Sequence, residues 1–170
     1  EISVRDWSSD VCSSDLKPVV TPPGAVQLDS TFTLARLGEA KILSPVDFEI
    51  FSRNQITQAQ VQVTKEGELT RGTWAFTAPD RAVAETIFKE IDTLYRQVGF
   101  KPAPDITRDN VTALFSVPTP AGSGPIVYRA HYLAGNKVFR VETYGPDPAV
   151  AATEFAALLD AQLQRTPASP

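Results

Sequence analysis

Methionine is absent from the 170 residues, and cysteine and histidine occur once each. A lone cysteine leaves no intrachain disulfide and no cysteine-ligated zinc, and the sparse histidine leaves no HExxH site. No glycine-rich phosphate loop, GxSxG elbow or calcium loop is present either. Residues 118–125 (PTPAGSGP) hold glycines but lack the lysine and spacing of a phosphate cradle, so they read as a surface loop. No apolar run approaches the ~20 residues that a membrane-spanning helix requires. Neither sign of charge dominates: 16 Lys and Arg stand against 20 Asp and Glu. Nothing therefore points to nucleic acid or an anionic membrane surface as a partner. Neither a metal nor a cofactor is expected.

The first sixteen residues, with DWSSDVCSSDL at 6–16, resemble a short-read sequencing adapter translated in one frame. They are set aside from fold reasoning as a non-native segment expected to be disordered. Cys12 and Trp7 go with them, which removes thiol chemistry and leaves acids and bases nearly balanced. The missing start methionine places the true N-terminus upstream, together with any signal segment or lipid-attachment cysteine. Residues 17–28, with Pro18, Pro22, Pro23 and Gly24, read as an extended tether. Residues 29–166 suit one domain large enough to bury a core unaided, and 167–170 a tail.

What is present is a pattern that occurs twice. PDRAVAETIF at 79–88 returns as PDPAVAATEF at 146–155, with identity at seven of ten positions. Each copy follows a hairpin-like stretch and opens a helix-like one, so the spacing predicts two ββα units, about 59–99 and about 126–165. In the first, the turn Glu66-Gly67 puts Val61, Val63, Trp74 and Phe76 on one side and Gln60, Gln62, Arg71 and Thr73 on the other. Its helix starts at the N-cap Asp80, carries Val83, Ile87, Ile91, Leu94 and Val98 as an apolar stripe, and stops at Gly99. In the second, the turn Gly135-Asn136 puts Tyr128, Ala130, Tyr132, Phe139 and Val141 toward the helix. The N-cap Asp147 and Pro148 open that helix, which turns Ala151, Phe155, Leu158, Leu159 and Leu163 inward. Strands are also expected at 31–36, 47–51 and 111–117. The fold class is α+β: a two-layer antiparallel sheet with both helices on one face.

Arg129, His131, Arg140 and Glu142 form the one polar cluster that this register places. Two guanidinium groups beside an imidazole suit a carboxylate or phosphate, since arginine offers paired donors in a planar fork. The plainer reading is a solvated sheet face with a cross-strand Arg129–Glu142 ion pair worth under ~1 kcal/mol. Tyr95, Tyr128, Tyr132 and Trp74 would either line an apolar pocket between sheet and helices or simply fill the core.

The stretch RVETYGPDPAVAATEFAALLDAQLQR at 140–165 resembles the closing strand and helix of exported domains and lipoproteins of actinobacteria, including the extracellular sensor-type domains attached to receptor kinases. Those sensors usually carry disulfide cysteines, and this chain departs from them there. The resemblance implies an extracytoplasmic, cell-envelope domain without catalysis that binds a small-molecule ligand or an envelope protein. The alternatives are a small enzyme using Arg129, His131 and Glu142, or a structural domain of a larger protein.

Overall fold

The computed structural model describes residues 17–170; the adapter-like stretch, with Cys12 and Trp7, lies outside the described residues. Two hairpins supply the middle of the sheet. Strands β2 (Gln58–Glu66) and β3 (Leu69–Thr77) meet at Gly67-Glu68, and β6 (Ile126–Ala134) and β7 (Lys137–Gly145) at Gly135-Asn136. The second hairpin has the expected register, with His131 opposite Arg140 and Tyr132 opposite Phe139. The first turns one residue later than expected. Gly67 takes the first loop position with φ 61, where a tight turn most needs a residue without Cβ. Val61 therefore faces Trp74 and not Gly72, a two-residue slip that leaves every side chain on its expected side.

Strand β1 (Ala25–Thr33) lies outside β2, β5 (Val111–Ser116) outside β6, and the two-residue β4 (Lys101–Pro102) outside β5. All pairs are antiparallel, in the order β1-β2-β3-β7-β6-β5-β4. Among the described residues there are also four helices. Helix α1 (Leu34–Ala40) is capped by Thr33, so the strand expected at 31–36 ends after three residues. The strand expected at 47–51 is instead the interior of α2 (Pro45–Arg53). Ser44 accepts the Asp47 N–H, and Pro45 occupies the first helical position, where a missing N–H costs nothing. Helices α3 (Arg81–Gln97) and α4 (Pro148–Arg165) are capped by Asp80 and Asp147, as expected.

The antiparallel α+β class holds, but the two long helices do not share a face. Strand β3 pairs with β7 so that Trp74 lies opposite Arg140 and Thr73 opposite Val141. Residues directly opposite one another project from the same side of a sheet. The apolar side of the first hairpin therefore shares a face with the polar side of the second. A register one residue away would have aligned the two apolar sides and brought both helices together. As it stands, α3 packs Ile87, Ile91 and Tyr95 over Trp74, Phe76 and Val138 on one face, with α1 and α2 beside it. Helix α4 packs Phe155, Leu158 and Leu159 over Tyr128, Ala130 and Val141 on the other. The molecule has three layers, not two.

Of residues 17–28, read from composition as a tether, 25–28 are the start of β1 and 17–24 form a strap across the second face. Val19 is 2% exposed, and the Val20 N–H donates to Gln162 Oε1 at 2.9 Å. The tail is engaged too, with the Ser169 N–H donating to the Leu133 carbonyl at 2.7 Å.

Opposite faces mean separate cores, and this is measurable. Ile87→Val under α3 should cost about 0.5–1.5 kcal/mol and Leu159→Ala under α4 about 2–5 kcal/mol. In urea unfolding, the double variant should equal the sum within about 0.5 kcal/mol. Coupling well beyond that would contradict the three-layer arrangement.

Candidate functional site

A register that turns two arginines and a glutamate toward a helix layer buries charge, and buried charge requires partners. Each group finds one. Arg140, in the middle of β7 and 2% exposed, presents its fork to the Asp47 carboxylate of α2: Nη1 donates to Oδ2 at 3.1 Å and Nη2 to Oδ1 at 3.0 Å. Its Nε donates to His131 Nε2 at 2.7 Å. The Tyr95 hydroxyl, from α3, donates to Asp47 Oδ1 at 2.9 Å and accepts from Arg140 Nη2 and Arg129 Nη1, both at 3.0 Å. Arg129 Nε donates to Glu142 Oε2 at 2.7 Å, and the other Glu142 oxygen accepts the Trp74 indole N–H at 2.9 Å. The Tyr144 hydroxyl accepts a further bond from Arg129. The Arg140 guanidinium also sits 5.4 Å from the Phe76 ring centre and 5.9 Å from those of Phe51 and Trp74, within cation–π range.

Gly72 makes room for this on β3. A Cβ there would stand 3.0 Å from Glu142 Oε1 and 3.3 Å from Trp74 Nε1. Closer than ordinary contact on both sides, it would push the carboxylate off its indole donor.

Because His131 Nε2 accepts a hydrogen bond from a guanidinium, the imidazole is neutral. Burial pushes its pKa well below the usual 6.5, and the Arg140 charge adds to the effect. For Asp47, burial alone would raise the pKa, but the charge and hydrogen bonds of Arg140 outweigh it and hold the carboxyl at about 2. Burial raises Tyr95, opposed by the two arginines. Two cations then meet two carboxylates around a neutral ring, and no charge is left over to hold an anion. Among the described residues the one buried side-chain nitrogen or oxygen without a hydrogen-bond partner is Arg71 Nε, which lies outside this cluster.

The four residues singled out from the sequence are thus brought together, and the expected Arg129–Glu142 pair forms. The expected solvated face does not exist: Arg129 and Glu142 side chains are 13% and 3% exposed, beneath α2 and α3. Sequence reasoning missed Asp47, the counter-charge that completes the group. The signal was present in Ser44-Pro45-Val46-Asp47, a helix-start pattern with a cap, a proline and an acid at the third position. The four aromatic residues considered for one pocket are divided between the two cores, Tyr95 and Trp74 in one and Tyr128 in the other, with Tyr132 stacked on Phe139.

An open cleft of about 360 Å³ lies elsewhere, between α3 and the ends of β5 and β6, with Phe88, Val111 and Leu133 as apolar surface and Arg81, Lys89 and Asn110 as polar groups. Among the described residues, no group of three or more His, Cys, Asp or Glu is placed to hold a metal ion, and no helix is long and apolar enough to cross a membrane.

No protein-family model matches the chain, and no curated protein matches it. Among solved structures, the fold is similar to the extracellular domain of PknH from Mycobacterium tuberculosis, at 14% identity and a TM-score of 0.50, covering 85% of this chain and 81% of that one.

Two outcomes follow from the buried cluster. Arg140→Met should cost about 3–5 kcal/mol by stranding Asp47, and adding Asp47→Leu should recover most of that loss in chemical unfolding. The second concerns pH. His131 binds a proton below about 6.5 when unfolded but resists it when folded, so stability should fall as pH drops below 6.5. Asp47 contributes separately, its share being lost between 3.8 and about 2. His131→Gln should flatten the profile between about pH 6.5 and 5, measured as urea midpoints.

Proposed function

We propose that the chain forms a non-enzymatic, extracytoplasmic domain of the cell-envelope or lipoprotein type that binds a small ligand or a protein partner. The observation that carries this reading is the fold shared with the extracellular domain of PknH over 85% of the chain. The state of the polar cluster supports the non-catalytic part. Arg129, His131 and Glu142, the residues an enzyme would have had to use, are already engaged: Arg129 with Glu142 and Tyr95, Glu142 also with Trp74, and His131 with Arg140. A general base needs to reach a proton on substrate, and a neutral imidazole held by a guanidinium beneath two helices does not. Binding then falls to the surface, where the cleft beside Phe88 and Lys89 has the size and mixed lining that suit a small amphipathic molecule.

Localisation is the direct test. With its natural upstream sequence restored and a C-terminal epitope added, the protein should be digested when intact cells are treated with external protease. Protection until the cells are lysed would overturn the proposal.

A further inference from the structure

Helix α4 covers the β6 and β7 half of the second face; over β2 and β3 the cover is residues 17–23, which form neither strand nor helix. Fixed side chains hold this strap by its main chain. Gln162 Nε2 and Thr166 Oγ1 donate to the Pro18 carbonyl at 2.7 and 2.8 Å. Gln162 Oε1 accepts the Val20 N–H, and Thr73 Oγ1 donates to the Val20 carbonyl at 2.7 Å. Further along, Thr64 Oγ1 and Arg71 Nη1 both donate to the Pro23 carbonyl, at 2.7 and 3.0 Å. Between the first two anchor points, the Val19 side chain enters a socket of Ala75, Tyr132 and Phe139.

Ordinary sheet faces are sealed by apolar contact with a helix or another sheet. Here Gln162, Thr73 and Thr64 are fully buried and Arg71, which also pairs with Glu66 and Glu154, is 4% exposed, and each directs at least one polar atom at a segment the sheet does not pair with. Main-chain hydrogen bonds for affinity, with a pocket for one side chain, are the means by which domains read extended peptides. Pro18, Pro22 and Pro23 bring no N–H groups, which is why donors predominate along this channel.

We infer that the channel between α4 and the β2–β3 hairpin is a recognition groove for an extended peptide, that the strap is its resident occupant, and that its occupant in trans is the same strap from a second copy of this chain. The segment fits by construction, and one residue, Gly24 at φ +114, joins it to β1. Tethering gives the resident strap an effective concentration on the order of millimolar, so exchange requires copies held at similar density. The inference rests on the proposed binding function in naming a partner. It is independent of where the protein resides, and its failure leaves the localisation test untouched.

A protease site inserted between Gly24 and Ala25 of the full chain allows the strap to be cut. A labelled peptide of residues 17–24 should then bind the cut chain, seen as a rise in fluorescence anisotropy reversed by unlabelled peptide, and a Val19→Asp peptide should bind at least about tenfold more weakly. In the uncut chain, differently tagged copies refolded together at about 1 mM should yield a dimer carrying both tags, and Val19→Asp should abolish it. A cut chain that stays folded by circular dichroism yet takes no peptide overturns the inference, as do equal binding of the Val19→Asp peptide and a purely monomeric refolded mixture. Should cutting unfold the chain, recovery of the fold on adding peptide supports the groove, and failure to recover overturns it.

Discussion

The bidentate pair between Arg140 and Asp47 constrains the rest of the structure. A guanidinium in a layer of phenylalanine and tryptophan is tolerable only beside a carboxylate, because an unpaired buried charge costs several kcal/mol. Asp47 comes from a helix more than ninety residues away in sequence, so the pair ties α2 to the central strand. It also selects register. Sliding β7 by one residue along β3 would carry its hairpin over with it, turning Arg140 to the side of Thr73 and Ala75, away from Asp47, and leaving Asp47 facing Phe139 or Val141. The cluster is a modest source of stability but a strong discriminator between neighbouring pairings.

That selectivity marks the limit of what could be read from the sequence. Alternation within each hairpin identified which side was apolar, and the helix caps at Asp80 and Asp147 announced themselves through short-range chemistry. What joins the hairpins is a pairing between β3 and β7, separated by a long stretch of chain, and nothing local encodes whether Trp74 lies opposite Arg140 or its neighbour. The polar side of the second hairpin was accordingly assigned to water. Asp47 was lost for a related reason: in a strand it would have pointed to either face, whereas the cap at Ser44 makes it helical and aims it inward with Ile50 and Phe51.

The two interlayer spaces are sealed by different chemistry. One holds a neutral, fully bonded group of ions and aromatic rings under three helices; the other pairs an apolar helix contact with a strip of hydroxyl, amide and guanidinium donors under the strap. Composition alone made the strap look like a linker, since prolines near a chain end usually signal one. The same prolines suit a segment that is held from outside, because they present carbonyls and ask for few acceptors in return.

The two rims of the sheet are unequal. Strand β1 offers a nine-residue outer ladder, while the opposite rim ends in the two residues of β4, the second of which, Pro102, has no amide hydrogen to give. Among the described residues, the longer ladder for an edgewise contact is therefore β1, and a seam with β1 on both sides would be a closed, two-fold one that leaves the short rims outermost.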